Sequence, residues 1–199
     1  MSDAETLAVY AAKADEYAAT FTGEDRPQLR AFIAAMPAGG TVLDFGCGTG
    51  TSALAMAQAD LQVVASDASA QMLALVPEHA NITRRLADFD DLDEMSLYDG
   101  LYASFSLLHA PRAAFPGHLI AIARALKPGG RLHLAMKLGT GEARDTLGRF
   151  YTYYTADQLG EHLAAAGLIW LDAHTGEGPG LAGQIDPYIM IAARRGADA

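Results

Sequence analysis

The sequence predicts an α/β fold built on a mostly parallel sheet, from three observations. Between Thr41 and Lys137, short apolar runs of strand length alternate with segments of helical periodicity. The first run opens into VLDFGCGTG at positions 42–50, which reads as strand, glycine turn and helix start. The last two apolar runs, Leu168–Leu171 and Ile185–Ala193, have no helical pattern between them. Strands alternating with helices become parallel strands joined by right-handed crossovers, while a pair without a helix closes antiparallel.

Each element has its own signal. Ser2 to about Thr20 reads as one amphipathic helix, with a Ser2–Glu5 capping box and Leu7, Tyr10, Ala11, Ala14, Tyr17 and Ala18 at helical spacing. A second helix runs from about Asp25 to Met36, turns Leu29, Phe32, Ile33 and Met36 inward, and stops at Pro37 and Gly39–Gly40. Strand Thr41–Asp44, helix Thr51–Ala59, strand Gln62–Ser66 and helix Ser69–Val76 follow. Asn81–Arg85 is a weak strand and Leu101–Ser104 a stronger one. The helix Ala113–Leu126 ends at Lys127-Pro128-Gly129-Gly130, because a residue before proline resists the α region. Strand Arg131–Lys137 sets Leu132, Leu134 and Met136 on one side. Helix Thr155–Ala166 carries a Thr155–Gln158 capping box and ends at Gly167. A glycine-rich loop from Gly176 to Gly183 separates the last two strands.

At 199 residues the chain fits one domain, 1–199, with the helices of residues 1–36 placed to cap a site. Hydrophobic residues make up 51% and charged residues 19%, a globular composition. Fourteen Lys and Arg against 24 Asp and Glu leave a formal charge of −10, which disfavours a phosphate backbone as partner. No nucleic acid is expected, and no membrane, since no apolar run approaches the roughly 20 residues of a bilayer span. One cysteine cannot close an internal disulfide, and MSDAETLAVY lacks the features of a signal peptide. A cytoplasmic protein is expected, either monomer or homodimer. The six histidines show no paired ligand spacing, so no metal is expected.

The glycine turn calls for a ligand. Glycine is costly in conformational entropy, and three of them, Gly46, Gly48 and Gly50, alternate behind an acid. In an open parallel sheet, ligands sit beyond the carboxyl ends of the strands. A dinucleotide fingerprint is G-x-G-x-x-G, but here the spacing is G-x-G-x-G and the third glycine of that fingerprint is replaced by Thr51. Asp44 would repel a diphosphate and attract an ammonium. Asp67, at the end of the second strand, suits ribose hydroxyls and equally the N-cap of the next helix. The combined demand is for a ligand with an amino-acid end, a ribose and no pyrophosphate. A nicotinamide-dependent oxidoreductase therefore fails on Asp44 and Thr51.

Together these stretches resemble the class I S-adenosylmethionine (SAM)-dependent methyltransferases, of the small stand-alone bacterial type. VLDFGCGTG is similar to the family's first motif, and VVASDAS to the segment with its second-strand acid. ADFDDL (87–92), YDGLYASFSLLH (98–109) and LKPGG (126–130) resemble later motifs in order. The resemblance implies a Rossmann-like three-layer sandwich with a seven-stranded sheet, order 3-2-1-4-5-7-6, whose last strand is antiparallel. It implies SAM as cofactor and S-adenosylhomocysteine as product. Asp44 would position the ammonium, with Gly46, Cys47 and Gly48 along the methionine portion. Asp67 would take the ribose hydroxyls, Ala68 and Met72 would flank the adenine, and Asp88 with the Phe89 amide would read its edge. Tyr17 and Phe105 complete the expected cofactor set, with Tyr10 and Tyr17 on a helix able to close as a lid. Cys47 is expected to fill the turn rather than react.

Methyl transfer from a sulfonium asks the protein mainly to hold a nucleophile on the methyl axis in a dry pocket. His109, in SFSLLHAP, titrates near neutrality and is the expected catalytic residue, as a base or an orienting group. KLGTGEARDTLGRFYTYYT, 137–155, is similar to the acceptor-side segment of the small bacterial enzymes. Lys137, Arg149 and Tyr153 are expected to join His109 in holding the acceptor, and Arg149 to serve the pocket rather than the fold. The last loop, HTGEGPGLAGQID, departs from the related pattern, which has an aspartate–arginine pair and a tryptophan there. The expected activity is methyl transfer to a small molecule. The alternative is a non-catalytic SAM-binding sensor or inactive partner subunit.

Overall fold

The structure, a computed structural model, describes residues 3–20 and 26–197. Ser2 and Asp25, expected to start the first two helices, lie outside the described residues. The helices ahead of the sheet are α1 (Ala4–Ala12), α2 (Ala14–Thr20) and α3 (Pro27–Ala34). Then come β1 (Thr41–Phe45), α4 (Thr51–Gln58), β2 (Gln62–Asp67), α5 (Ala70–Ala74) and β3 (Ile82–Leu86). The chain crosses back through β4 (Tyr98–Ser104), α6 (Phe115–Ala125) and β5 (Leu126–Lys137). A small hairpin of β6 (Glu142–Arg144) and β7 (Phe150–Thr152) precedes α7 (Ala156–Ala165), β8 (Leu168–Pro179) and β9 (Ile185–Arg195).

Among the described residues, seven strands form one sheet in the order β3-β2-β1-β4-β5-β9-β8, and β6 pairs only with β7. Leaving that hairpin out of the count gives the expected order 3-2-1-4-5-7-6. The first five strands run parallel, and β9 is antiparallel to both β5 and β8. Strand side chains alternate between faces, so β1 feeds two cores. Leu43 and Phe45 pack with Leu101, Leu132, Leu134 and residues of α6 and α7. Val42 packs on the other face with Val63, Ala65, Met56 and the α3 residues Leu29 and Phe32. Asp44 lies on that second face, at the strand's carboxyl end.

Four expectations need correcting. The N-terminal segment is two helices, broken at Lys13, and its cap is Asp3, whose Oδ1 accepts the Thr6 amide at 2.9 Å. Helix α3 begins at Pro27, where the missing N–H costs nothing. The segment after β5 is no open loop, since it folds back as the β6–β7 hairpin. Half of the presumed glycine loop is strand, and β8 and β9 pair as far as Pro179 and Ile185. The reason is Tyr188. A Cβ on Gly176 would lie 2.6 Å from its hydroxyl, and one on Gly178 3.5 Å from its ring. The glycines cut a slot in β8 in which that ring rests.

Candidate active site

The carboxyl ends of β1, β2 and β4 meet where the chain reverses its course across the sheet, the usual ligand position in such sheets. Gly46, Gly48 and Gly50 all have positive φ, at +76°, +54° and +77°, a region that favours glycine. Their surroundings differ. A Cβ on Gly46 would lie 2.3 Å from that of Ser106, and one on Gly50 would lie 2.7 Å from a Val76 methyl. These two serve the protein's own packing, whereas among the described residues a Cβ on Gly48 would meet only Tyr17, at 3.7 Å.

Asp67 ties the turn together: its Oδ2 accepts the Gly48 amide and its Oδ1 the Ser69 amide, each at 2.8 Å. The N-cap of α5 is Ser69, so Asp67 is not its cap. Asp44 is 3% exposed, and its Oδ2 is buried with no hydrogen-bond partner among the described residues. Burial, and then the charge of Asp67, pushes the Asp44 carboxyl up to about 7. Burial, followed by Asp44 and Asp67, raises the Cys47 thiol, which stays protonated and unreactive.

Two cavities that share several lining residues flank this turn. The smaller, about 80 Å3, is lined by Asp67, Ala68, Met72 and Phe89 among others. The larger, about 600 Å3, takes in Asp44, Cys47 and Arg26 at one end. Its other end is formed by Lys137, Arg149, Tyr151 and the β8–β9 hairpin. Tyr10, Tyr17, Gly46, Phe105 and His109 border both. Asp88 and Tyr153 are not among the residues lining either. Asp88 caps the short turn Phe89–Asp91, and Tyr153 packs its ring edge on Gly139.

At the end of the larger cavity away from Asp44 a chain of polar groups crosses four segments. The Nδ1 of His109 lies 2.6 Å from the Phe150 carbonyl, and its Nε2 lies 2.8 Å from the Tyr10 hydroxyl. A carbonyl can only accept, so Nδ1 carries the proton and Nε2 accepts from Tyr10. Burial drops His109 to about 4, so the ring is neutral at pH 7. Arg149 donates from Nη1 to the Tyr10 hydroxyl at 3.0 Å, and from Nε and Nη2 to Asp145 at 2.9 and 2.6 Å. Beside them Lys137 pairs with Asp186 at 2.5 Å and lies 4.1 Å from the centre of the Tyr151 ring.

Several lining residues escaped sequence reasoning. Arg26 donates to the hydroxyls of Ser52 and Thr51 at 2.8 Å each, bringing a cation from 18 positions upstream into the cavity that Asp44 lines. No local pattern marks it. Asp186, Tyr188 and Met190 alternate along β9 toward the cavity, a period-2 signal that the glycine-rich reading hid. Among the described residues no group of three or more His, Cys, Asp or Glu side chains converges as a metal site. No helix among them is long and apolar enough to cross a membrane.

This strand order, with a glycine turn after β1 and acids ending β1 and β2, defines the class I SAM-dependent methyltransferase fold. The family model described as "Methyltransferase domain" matches residues 42–130, which carry the domain of that SAM-using family. The chain is 35% identical over 149 residues to the cypemycin N-terminal methyltransferase of a Streptomyces species, covering 66% of this chain and 60% of that one. It is 36% identical over 99 residues to the demethylmenaquinone methyltransferase of Tropheryma whipplei, covering 48% and 41%. The chain thus spans less than two thirds of the length of these curated relatives. A solved structure of Burkholderia thailandensis 1,6-didemethyltoxoflavin-N1-methyltransferase, with 1,6-didemethyltoxoflavin and S-adenosylhomocysteine bound, aligns with a TM-score of 0.76. That alignment covers 97% of this chain and 88% of the other at 21% identity, a likeness of fold.

Proposed function

We propose that the protein transfers the methyl group of SAM to a small-molecule acceptor. The observation that carries this reading is the buried Oδ2 of Asp44, without a hydrogen-bond partner among the described residues, in one cavity of about 600 Å3 with the guanidinium of Arg26. A carboxyl and a guanidinium lining the same cavity suit the ammonium and carboxylate of an amino-acid end. Asp67 suits ribose hydroxyls, and Ala68, Met72 and Phe89 suit the faces of an adenine. The Phe89 amide is already taken by Asp88, at 2.6 Å. When bound, the sulfonium supplies an activated methyl group. The protein then has to orient the acceptor, exclude water and accept a proton. The remaining cavity is of the size that takes one small molecule, and its charges there are paired within the protein. Helices α1, α2 and α3 would serve as a cover on a single domain.

The test is release of S-adenosylhomocysteine when methyl-labelled SAM meets a pool of phenols, N-heterocycles and amines. Labelled product supports the proposal. Tight SAM binding without turnover on any pool would instead favour a non-catalytic SAM-binding protein.

Asp44 gives a further prediction. A carboxyl raised from 3.8 to about 7 stays protonated in the fold while the unfolded chain ionises. Its contribution to stability therefore falls as pH rises from about 4 to 7 and is constant above. Binding an ammonium requires the carboxylate, so SAM affinity should rise about tenfold from pH 6 to pH 8. 5′-Methylthioadenosine, which lacks the ammonium, should show no such rise by calorimetry. Asp44→Asn should weaken SAM and spare methylthioadenosine; equal losses would remove Asp44 from this role.

A further inference from the structure

We propose that Tyr10 is the group that meets the nucleophilic atom of the acceptor, and that His109 receives the proton through Tyr10 without touching the acceptor itself. This rests on the methyltransferase reading above. His109 is 8% exposed, and both its ring nitrogens are engaged, Nδ1 with the Phe150 carbonyl and Nε2 with the Tyr10 hydroxyl. The imidazole has no nitrogen left to offer a ligand. Tyr10 does have capacity. Its hydroxyl gives its one proton to Nε2 and accepts one hydrogen bond from Arg149, which leaves one lone pair. Tyr10 also borders both cavities.

The remaining neighbours favour this division of work. Two of the Arg149 guanidinium nitrogens, Nε and Nη2, are held by Asp145, so Nη1 is the one aimed at the phenol. A cationic donor there steadies negative charge as it develops on the Tyr10 oxygen. Thr6 accepts the Phe150 amide at 2.8 Å, which fixes α1 on the same residue whose carbonyl fixes His109. One residue, Phe150, thereby registers the base against its relay.

The proton moves as follows. The acceptor X–H bond breaks, its proton passes to the Tyr10 oxygen, and the Tyr10 proton passes to His109 Nε2. The pair left on X forms the bond to the methyl carbon, and the C–S pair stays on sulfur as a neutral thioether. His109 ends as an imidazolium donating to Tyr10 and Phe150, and returns its proton to water after product leaves. The positive charge lost from the sulfonium reappears on the ring, so the balance closes. Such a relay suits an acceptor that arrives neutral and protonated, a hydroxyl or an N–H. Lys137–Asp186 and Arg149–Asp145 are each internally paired, which agrees with an uncharged acceptor.

The first test needs no ligand. In the 15N-histidine-labelled protein at pH 7, with His109 assigned by the loss of its signals in His109→Gln, Nδ1 should be the protonated nitrogen. Tyr10→Phe should move the Nε2 resonance and leave Nδ1 nearly unchanged. An Nε2–H tautomer, or an imidazolium, would overturn the proposal. The second test uses methyl-labelled SAM with the phenol, N-heterocycle and amine pools. Tyr10→Phe and His109→Gln should each lower kcat by roughly 10²–10⁴-fold, with SAM affinity within about threefold of wild type. The double variant should be no slower than the slower single one, because both act in one path. Losses that multiply, or a Tyr10→Phe enzyme as fast as wild type, would remove Tyr10 from the path. No labelled product from wild type would instead strike the methyltransferase reading itself.

Discussion

Arg149→Ala is expected to lower the stability of the fold by about 3–5 kcal/mol, the range for breaking one side of a buried ion pair. Arg149 is 2% exposed, and the side chain of Asp145 is 9% exposed. The pair is held by two guanidinium contacts, and the other Asp145 oxygen takes the amides of Leu147 and Arg149 at 3.0 Å each. Burial works to raise the Asp145 carboxyl, yet the bonds from Arg149 outweigh it and hold the group below its usual value. Alanine at 149 leaves that charge buried without its partner. Arg149→Ala with Asp145→Ala should therefore be less destabilised than Arg149→Ala alone. Denaturant midpoints of the three proteins decide the matter. A single variant within about 1 kcal/mol of wild type would return Arg149 to a purely pocket-facing role.

Asp67→Ala is expected to weaken SAM binding at least tenfold by calorimetry. The proposal gives Asp67 two charge-assisted hydrogen bonds to ribose, each contributing about 1.5–3 kcal/mol. The structure adds a second loss. Asp67 also fixes the Gly48 and Ser69 amides, so the glycine turn slackens when the carboxylate goes. Asp67→Asn separates the two effects, since its amide oxygen can still accept from one backbone N–H. It should fall between alanine and wild type. Unchanged affinity in Asp67→Ala would discard the ribose assignment.

The cofactor end was legible in the sequence because its parts are local. Asp44, the glycines and Asp67 lie on consecutive strand ends, so a motif of fixed spacing carries them. Even there, spacing could not say why each glycine is present. Gly46 and Gly50 answer to Ser106 and Val76, which are distant in sequence. The alternation of elements gave a parallel sheet with right-handed crossovers, whereas the strand order came only with the family resemblance. The acceptor end was legible only in part. Lys137 and Arg149 do line the cavity, but Tyr151 lines it where Tyr153 was expected. In a twisted three-residue strand, period-2 reasoning has too few residues to fix which side faces in. The β8–β9 hairpin was hidden because glycine argues against strand on propensity. Its slot for Tyr188 is a tertiary reason that propensity cannot contain.

The docking of α1 on the β6–β7 hairpin has a consequence for how the protein comes into being. Asp3 meets Arg144 across 141 positions, and Tyr10 meets Arg149 across 139. A ribosome adding about 5–20 residues per second therefore makes Tyr10 on the order of ten seconds before its guanidinium partner exists. In that interval α1 has no hairpin to rest on. Strands β1 to β3 are made first, but β1 also pairs with β4 and Gly46 packs against Ser106, so the glycine turn closes only once β4 has emerged. The order of synthesis thus puts the segment that carries Asp44 and Asp67 well ahead of the contacts among Tyr10, His109 and Arg149.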